Sequence, residues 1–273
     1  NLILKGGALC HTVYPEIGLR PMRDLDILLT KEDAVYAHNL LQEHGFVLST
    51  EKTPQGYYHL PALLKNQNGM LICVELHHGL FPDDPPYYQQ LSFSDLCDNS
   101  QAFDIDGTTT YSLGTEDMLY HLYQHGFHAP LTFEPYKFIS LADMVSLVER
   151  RADDINWDTL DKRYPQVIQA LSLFHHLTPW SEAVLQRVPF KVLDPPANLG
   201  KPYCGWPRNT FSNKSCHSRL ELLKETIFPG KWWLMLYYNT SGILSFILCM
   251  TVQHPLHLLR WLKLYVRNFV EKK

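Results

Sequence analysis

The chain has 273 residues, 45% hydrophobic and 19% charged, an ordinary globular composition long enough for one large domain or two small ones. Its net charge of −4 hides a split: residues 231–273 carry six Lys/Arg and one acid, Glu271, while the rest carries 27 acids against 18 bases. So acidic a body excludes a general nucleic-acid binder, because neutralising phosphates takes clustered Lys and Arg.

The six cysteines form no C-x-x-C pair and are too sparse for a disulfide framework, which points to reduced thiols in a cytoplasmic protein. Cys204, Cys216 and His217 match no standard zinc spacing. No signal peptide is visible, and "NLILKGG" already reads as the middle of a strand, so a further N-terminal portion is expected ahead of Asn1.

In chain order, residues 1–5 read as a strand ending at Gly6–Gly7, and residues 8–14 as a short helix stopped by Pro15 and Gly18. Residues 24–29 are a second strand. "KEDAVYAHNLLQEHG" predicts a helix with acids in its first turn, Val35, Leu40 and Leu41 as its main apolar residues, and Gly45 as C-cap. Asn68-Gly69, between two apolar runs, predicts a hairpin. From Thr115, a plausible N-cap, the pattern turns helical. Pro135 stands near the start of a helix with apolar residues at 138, 141, 142, 145 and 148, and "VIQALSLFHHL" is a third helix. Residues 194–216 are rich in Pro, Gly and Asn and read as a linker.

The tail opens with "WWLMLYYNTSGILSFILCMTV", which Asn239–Gly242 divide into two short apolar helices, not a clear membrane span. A basic amphipathic helix follows, with Leu258, Leu259, Leu262, Val266 and Phe269 on one side and Arg260, Lys263 and Arg267 towards the other. It suits an anionic membrane surface through residues 231–273, or packing on the acidic body of its own chain. The predicted architecture is α+β: a small mixed sheet flanked by helices over 1–112, a helical domain over 113–193, the linker, and a helical tail over 217–273.

Chemistry concentrates at "RDLDILL". Residues i and i+2 of a strand share a face with Cα atoms about 6.5–7 Å apart. Leu25 and Ile27 then face the core, and Asp24 and Asp26 share the other side. Two carboxylates so placed repel unless a cation sits between them. In "ICVELHH", Glu75 and His77 fall opposite Ile72, Val74 and Leu76. If the two strands are neighbours, Glu75 joins the aspartates, and three acids of this kind suit Mg²⁺ and phosphoryl or nucleotidyl transfer. The plain alternative is two aspartates facing solvent from a half-exposed strand. "LKGGAL" adds a Gly turn opening a helix, whose backbone N–H groups can meet an anion, with the charge of Lys5 beside it.

These segments, "ILKGGAL", "YPEIGLRPMRDLDILL", "LLQEHGF" and "VELHHGL", resemble the uncharacterised-type nucleotidyltransferase family of the DNA-polymerase-β-like superfamily. The resemblance runs from residue 2 to about 177, through "LYQHGFH", "KFISLADM" and "INWDTL". It implies the nucleotidyltransferase fold, a helical domain helping to form the nucleotide cleft, and transfer of a nucleoside monophosphate from an NTP, with ATP the expected nucleotide, to an acceptor hydroxyl of a protein or small molecule. Carried over, Gly6 and Gly7 match the triphosphate turn, Asp24 and Asp26 the metal pair, Glu75 the third acid, and Arg20 a basic residue able to contact phosphate. Lys137 and Asp143 match family positions, with helix packing the equal alternative. His77 is a weaker candidate at the same site; for His121, His125 and His128 structural or surface roles are expected. The wider superfamily has Gly-Ser where this chain has Gly6-Gly7, which removes a phosphate-binding hydroxyl. The rival reading is a non-catalytic nucleotide-sensing or adaptor protein on the same fold, tethered by its tail.

Overall fold

A computed structural model describes residues 1–50, 53, 57–82, 91–127, 138–199, 203–206 and 218–271. His128, Pro135, Lys137, Cys216 and His217 lie outside them. The chain divides into two units, Asn1–Leu122 with Ser146–Ile155, and Tyr123–Val145 with Asn156–Lys273.

The first unit is built on a seven-stranded mixed sheet: β1 (Leu2–Ile3), β2 (Leu25–Leu28), β3 (Val47–Leu48), β4 (Leu63–Gln67), β5 (Met70–His77), β6 (Gln101–Ile105) and β7 (Thr108–Ser112). Their order is β3-β4-β5-β2-β1-β7-β6, so β2 lies near the middle. It runs parallel to β5 and antiparallel to β1. The β4–β5 hairpin turns on Asn68 (φ 54°) and Gly69 (φ 81°), both left-handed, as an Asn-Gly turn requires. Asp106 (φ 50°) and Gly107 (φ 83°) close β6–β7 in the same way.

Three helices belong wholly to this unit: α1 (Lys5–Thr12), α2 (Lys31–Glu43) and α3 (Phe93–Asp98). Thr30 caps α2, its hydroxyl accepting from the Asp33 N–H at 3.1 Å. Of the main apolar residues named for α2, Leu41 meets the sheet and Val35 and Leu40 do not. Ala34, Ala37 and Leu41, at helical spacing, pack on Ile27, Val74 and Leu76, while Val35 and Leu40 are exposed. Small residues let a helix lie close to a sheet, so the alanines take the inner face.

The start of α1 also departs from expectation. The first strand ends at Ile3, and the helix begins at Lys5 with Gly6 and Gly7 inside its first turn. Close packing is the reason. A Cβ on Gly7 would stand 2.8 Å from both Ile3 Cγ2 and Leu25 Cδ1. Likewise Thr115 is the first residue of α4 (Thr115–Phe127) rather than its cap. The Gly114 carbonyl receives the first helical bond, from Met118 N–H at 2.8 Å, and the Thr115 hydroxyl accepts from Gln101 Nε2 at 2.9 Å.

The second unit is helical. It holds parts of α4 and α5 (Phe138–Arg151), then α6 (Trp157–Arg163), α7 (Pro165–Phe174), α8 (Glu182–Leu185), α9 (Arg219–Ile227), α10 (Lys231–Tyr238), α11 (Gly242–Leu248) and α12 (His254–Glu271). The inner face of α5 is Ser140, Asp143, Met144, Leu147 and Val148, whereas Phe138 and Ala142 of the predicted stripe are exposed. Burying Ser140 allows a close crossing: a Cβ on Gly126 would meet Ser140 Cβ at 2.5 Å.

Helix α10 is core. Trp232 through Tyr237 are buried, with Trp233 stacked between Tyr203 and Tyr237 at ring distances of 4.4 and 4.6 Å. Gln169 Nε2 donates to the Met235 and Thr240 carbonyls at 2.9 and 3.0 Å. The predicted interruption is present, with Asn239 left-handed (φ 53°) and Gly242 at φ 82°. Beyond it, however, the second apolar stretch runs unbroken into the basic helix. A π-turn over Cys249–Gln253 joins α11 to α12. It ends two residues before Pro255, which has no N–H and would clash with the carbonyl four residues back in an ideal α-helix, so the widened turn relieves that clash.

The tight seat of Gly7 gives a prediction. Gly7→Ser, which restores the superfamily dipeptide, gains about 0.5 kcal/mol of helix propensity. It overpacks the Ile3–Leu25 contact at a cost of about 1–3 kcal/mol. The urea unfolding midpoint should therefore fall; a midpoint at or above the wild-type value would show that this contact yields.

Candidate active site

The pairing of β2 with β5 sets the site. Asp26 and Glu75 are register partners on these parallel strands, as Leu28 and His77 are two residues on. Side chains on one face of a strand repeat every second residue, so Asp26, Glu75 and His77 share a face. Asp24 sits one residue before β2 begins. The opposite face carries Ile27, Val74 and Leu76 against α2. The Asp26 face of β2 is covered: Asp26 is 3% exposed and Leu28, two residues on, 2%, while Leu25 and Ile27 on the other face are half-buried. This excludes the alternative in which Asp26 faces solvent from a half-exposed strand.

Buried carboxylates need charged or hydrogen-bonding partners, and the chain supplies two. Lys5 Nζ lies 3.1 Å from Asp26 Oδ1, and His77 Nε2 lies 2.9 Å from the same oxygen. His77 Nε2 is also 3.6 Å from Glu75 Oε2, which in turn stands 3.9 Å from His59 Nε2. Lys5 reaches Asp26 from a strained backbone. Its φ is +43°, and the other non-glycine residues with positive φ among those described are Asn or Asp, which tolerate it better. Strain of this kind persists where surroundings over-determine it.

The protonation pattern follows. Burial would raise the Asp26 pKa, but Lys5 and His77 outweigh it and hold the carboxyl far below its usual range. The His77 bond keeps Glu75 low as well, against burial. Burial works to lower the His77 pKa, yet Asp26 and Glu75 prevail and raise it. Its Nδ1 is buried with no hydrogen-bond partner among the described residues, so the ring is oriented from its Nε2 side. Asp24 moves the other way: burial first, then the charges of Asp26 and Glu75, raise its pKa despite Lys5. Some negative field at the site is therefore not neutralised by the chain's own cations.

That residual field tests the fit of a metal. One ligand atom each from Asp26, Glu75 and His77 lies within 4.8 Å of the others, and Asp24 feels the charge of both acids. Oxygen donors with surplus negative charge fit a hard divalent cation.

The predicted phosphate side lies beside these acids. Helix α1 has Leu4 as N-cap with no side-chain cap, so the first-turn N–H groups of Gly6 and Gly7 have no side-chain acceptor there. Arg20 is buried against this turn: a Cβ on Gly6 would stand 3.0 Å from Arg20 Nη1. The guanidinium also donates to the Pro21 carbonyl. Gly6, Gly7, Lys5 and Arg20 thus surround one helix start.

Two further histidines join the group: His59, which the sequence does not single out, and His121. His59 bridges to His77, on a segment that pairs with β5 through Leu60 N–H to the Leu76 carbonyl at 2.9 Å. Its one sequence signal is its place in the apolar run "YYHLPALL". His121 of α4 is fully buried, not on the surface. Burial and then the charge of Lys5 hold it well below the usual histidine range, and Asp26 and His77 also act on it. His125 is half-buried. Asp143 is buried on the inner face of α5 in the second unit.

Removing Lys5 leaves part of a buried charge uncompensated. Lys5→Met should lower stability by about 2–4 kcal/mol, short of a full buried-pair break because His77 remains. A double-mutant cycle with Asp26→Asn should return a coupling energy of at least about 1 kcal/mol. Additive thermal shifts would show that Lys5 does not hold Asp26 in solution.

No curated protein sequence and no solved structure matches the chain. A family model does, over residues 1–178, which include the sheet, both acid strands, and Lys5, Gly6, Gly7 and Arg20. By that match the chain belongs to the family described as uncharacterised nucleotidyltransferase.

Proposed function

We propose that the chain is a magnesium-dependent nucleotidyltransferase that moves a nucleoside monophosphate from an NTP, ATP in the first instance, to an acceptor hydroxyl. The observation that carries this reading is the register of Asp26 with Glu75 beside the Gly6–Gly7 helix start and Lys5. Asp24, Asp26 and Glu75 are the residues to hold the ion, which would supply charge stabilisation at the transferring phosphoryl group.

The remaining steps belong to the chain itself. The first-turn N–H groups of α1 receive phosphate oxygens, helped by the positive end of the helix. Arg20, permanently charged and seated against Gly6, binds the same group. The acceptor oxygen bonds to the α-phosphorus as the bond to the leaving pyrophosphate breaks, and the acceptor proton passes to Glu75. The lowered pKa of Glu75 keeps it ionised, with its oxygens free of their own proton, at neutral pH. His77 is a positioning residue, holding Asp26 and Glu75 from one nitrogen. Catalysis of this kind rests on alignment and electrostatics.

One observation favours the rival reading of a nucleotide sensor without turnover: Lys5 already engages Asp26. Incubating the protein and cell extract with labelled NTPs, with and without Mg²⁺, separates the two. The enzyme releases pyrophosphate and labels an acceptor; the sensor binds nucleotide and does neither.

Asp24→Asn is the cleanest substitution, because it removes a carboxylate whose pKa is raised by burial and then by the charges of Asp26 and Glu75. It should leave the melting temperature equal or higher while cutting turnover by at least about 100-fold, the scale of losing a group that stabilises transition-state charge. Wild-type turnover in this variant would sink the assignment.

A further inference from the structure

The residues from Gly242 to Lys263 form a helix of 22 residues, long and apolar enough to cross a membrane, with Cys249, His254, His257 and Trp261 buried along it. Its two sides differ sharply. The inner side of α12 is fixed by polar and aromatic contacts. His254 Nε2 meets the Thr226 carbonyl at 2.7 Å, and the Tyr238 hydroxyl lies 2.8 Å from His254 Nδ1 and 2.9 Å from His257 Nδ1. Trp261 joins the Trp233–Tyr237 cluster. The predicted leucine stripe faces away from this core: Leu259 is 62% exposed and Leu262 50%, and on α11 Ile243 and Leu244 reach 80% and 84%. Among the described residues of the stripe, Leu258 packs against the cluster. The rival in which the whole stripe packs on its own chain therefore does not hold.

We propose that this outer face docks on an anionic lipid bilayer, with the helix lying in the plane of the interface. Charge chooses the occupant. Arg260 and Lys263 are exposed on the same helix, and residues 231–273 hold six bases and one acid. Basic residues next to an apolar face suit anionic headgroups over an acyl boundary. An isologous contact with a second copy would instead set these bases against themselves. The inner contacts choose the orientation. His254, His257 and Trp261 hold one side of the helix to protein, so the helix presents a face to lipid and is not surrounded by it.

The test floats full-length protein with vesicles of phosphatidylcholine alone or mixed with phosphatidylserine. The protein should float with the anionic vesicles, and its affinity should fall at least about tenfold between about 0.05 and 0.5 M salt, as a surface-potential attraction requires. It should be released by alkaline carbonate. Leu244→Glu and Leu259→Glu, at exposed positions, should abolish flotation with an unchanged melting temperature. Failure to float with either vesicle overturns the proposal. So does salt-independent, carbonate-resistant binding, which would mark a spanning helix. A lipid-free dimer that Leu259→Glu dissociates would assign the face to a second copy and overturn it too. None of these readouts depends on turnover.

Discussion

A carboxylate buried in the middle of a sheet is the constraint around which the first unit is arranged. Left alone, the Asp26 charge would cost several kcal/mol. Two partners from different parts of the chain, Lys5 and His77, converge on one of its oxygens. Each convergence fixes geometry. His77 ties β5 to β2 through side chains as well as through the ladder, and Lys5 ties the start of α1 to the same point at the expense of a left-handed backbone. The like charges of the D-x-D strand are tolerable because one aspartate is compensated, and Asp24, the less buried of the two, keeps the remaining repulsion.

The same demand explains the glycines. For Lys5 to reach Asp26, α1 must begin almost on top of β1 and β2. Side chains on Gly6 and Gly7 would run into Met22, Arg20, Ile3 and Leu25. The pair therefore serves packing at least as directly as it serves phosphate approach, and the hydroxyl absent at position 7 has no room to be present without movement.

Strand pairing and chemistry were the legible part of the sequence. Period-two alternation placed Glu75 and His77 together, and Asn68-Gly69 set the hairpin; the equally plain Asp106-Gly107 signal joins β6 to β7. What the sequence concealed follows from packing. Apolar size favours Val35 and Leu40 as the inner face of α2, but a close helix–sheet contact selects Ala34 and Ala37. A pair of glycines reads as a break, yet here it opens a helix. His59 and His121 reach the acids by tertiary approach alone, which no local spacing encodes. The Trp-rich run at 232–237 has the composition of a membrane-facing segment, and composition does not distinguish that from the core of a helical unit, which it is.

The parallel pairing of β2 with β5 has a consequence for how the protein is made. Asp26 and His77 are 51 residues apart, and no tight turn can join parallel neighbours, so α2, β3 and the β4–β5 hairpin must all be threaded between them. Such non-local contacts form slowly, because loop-closure entropy is spent before any contact repays it. Lys5, the other partner of Asp26, stands 21 residues upstream of it. Of the two contacts that hold Asp26, the Lys5 pair therefore closes a loop of 21 residues and the His77 pair one of 51, so the first carries the smaller entropy of closure.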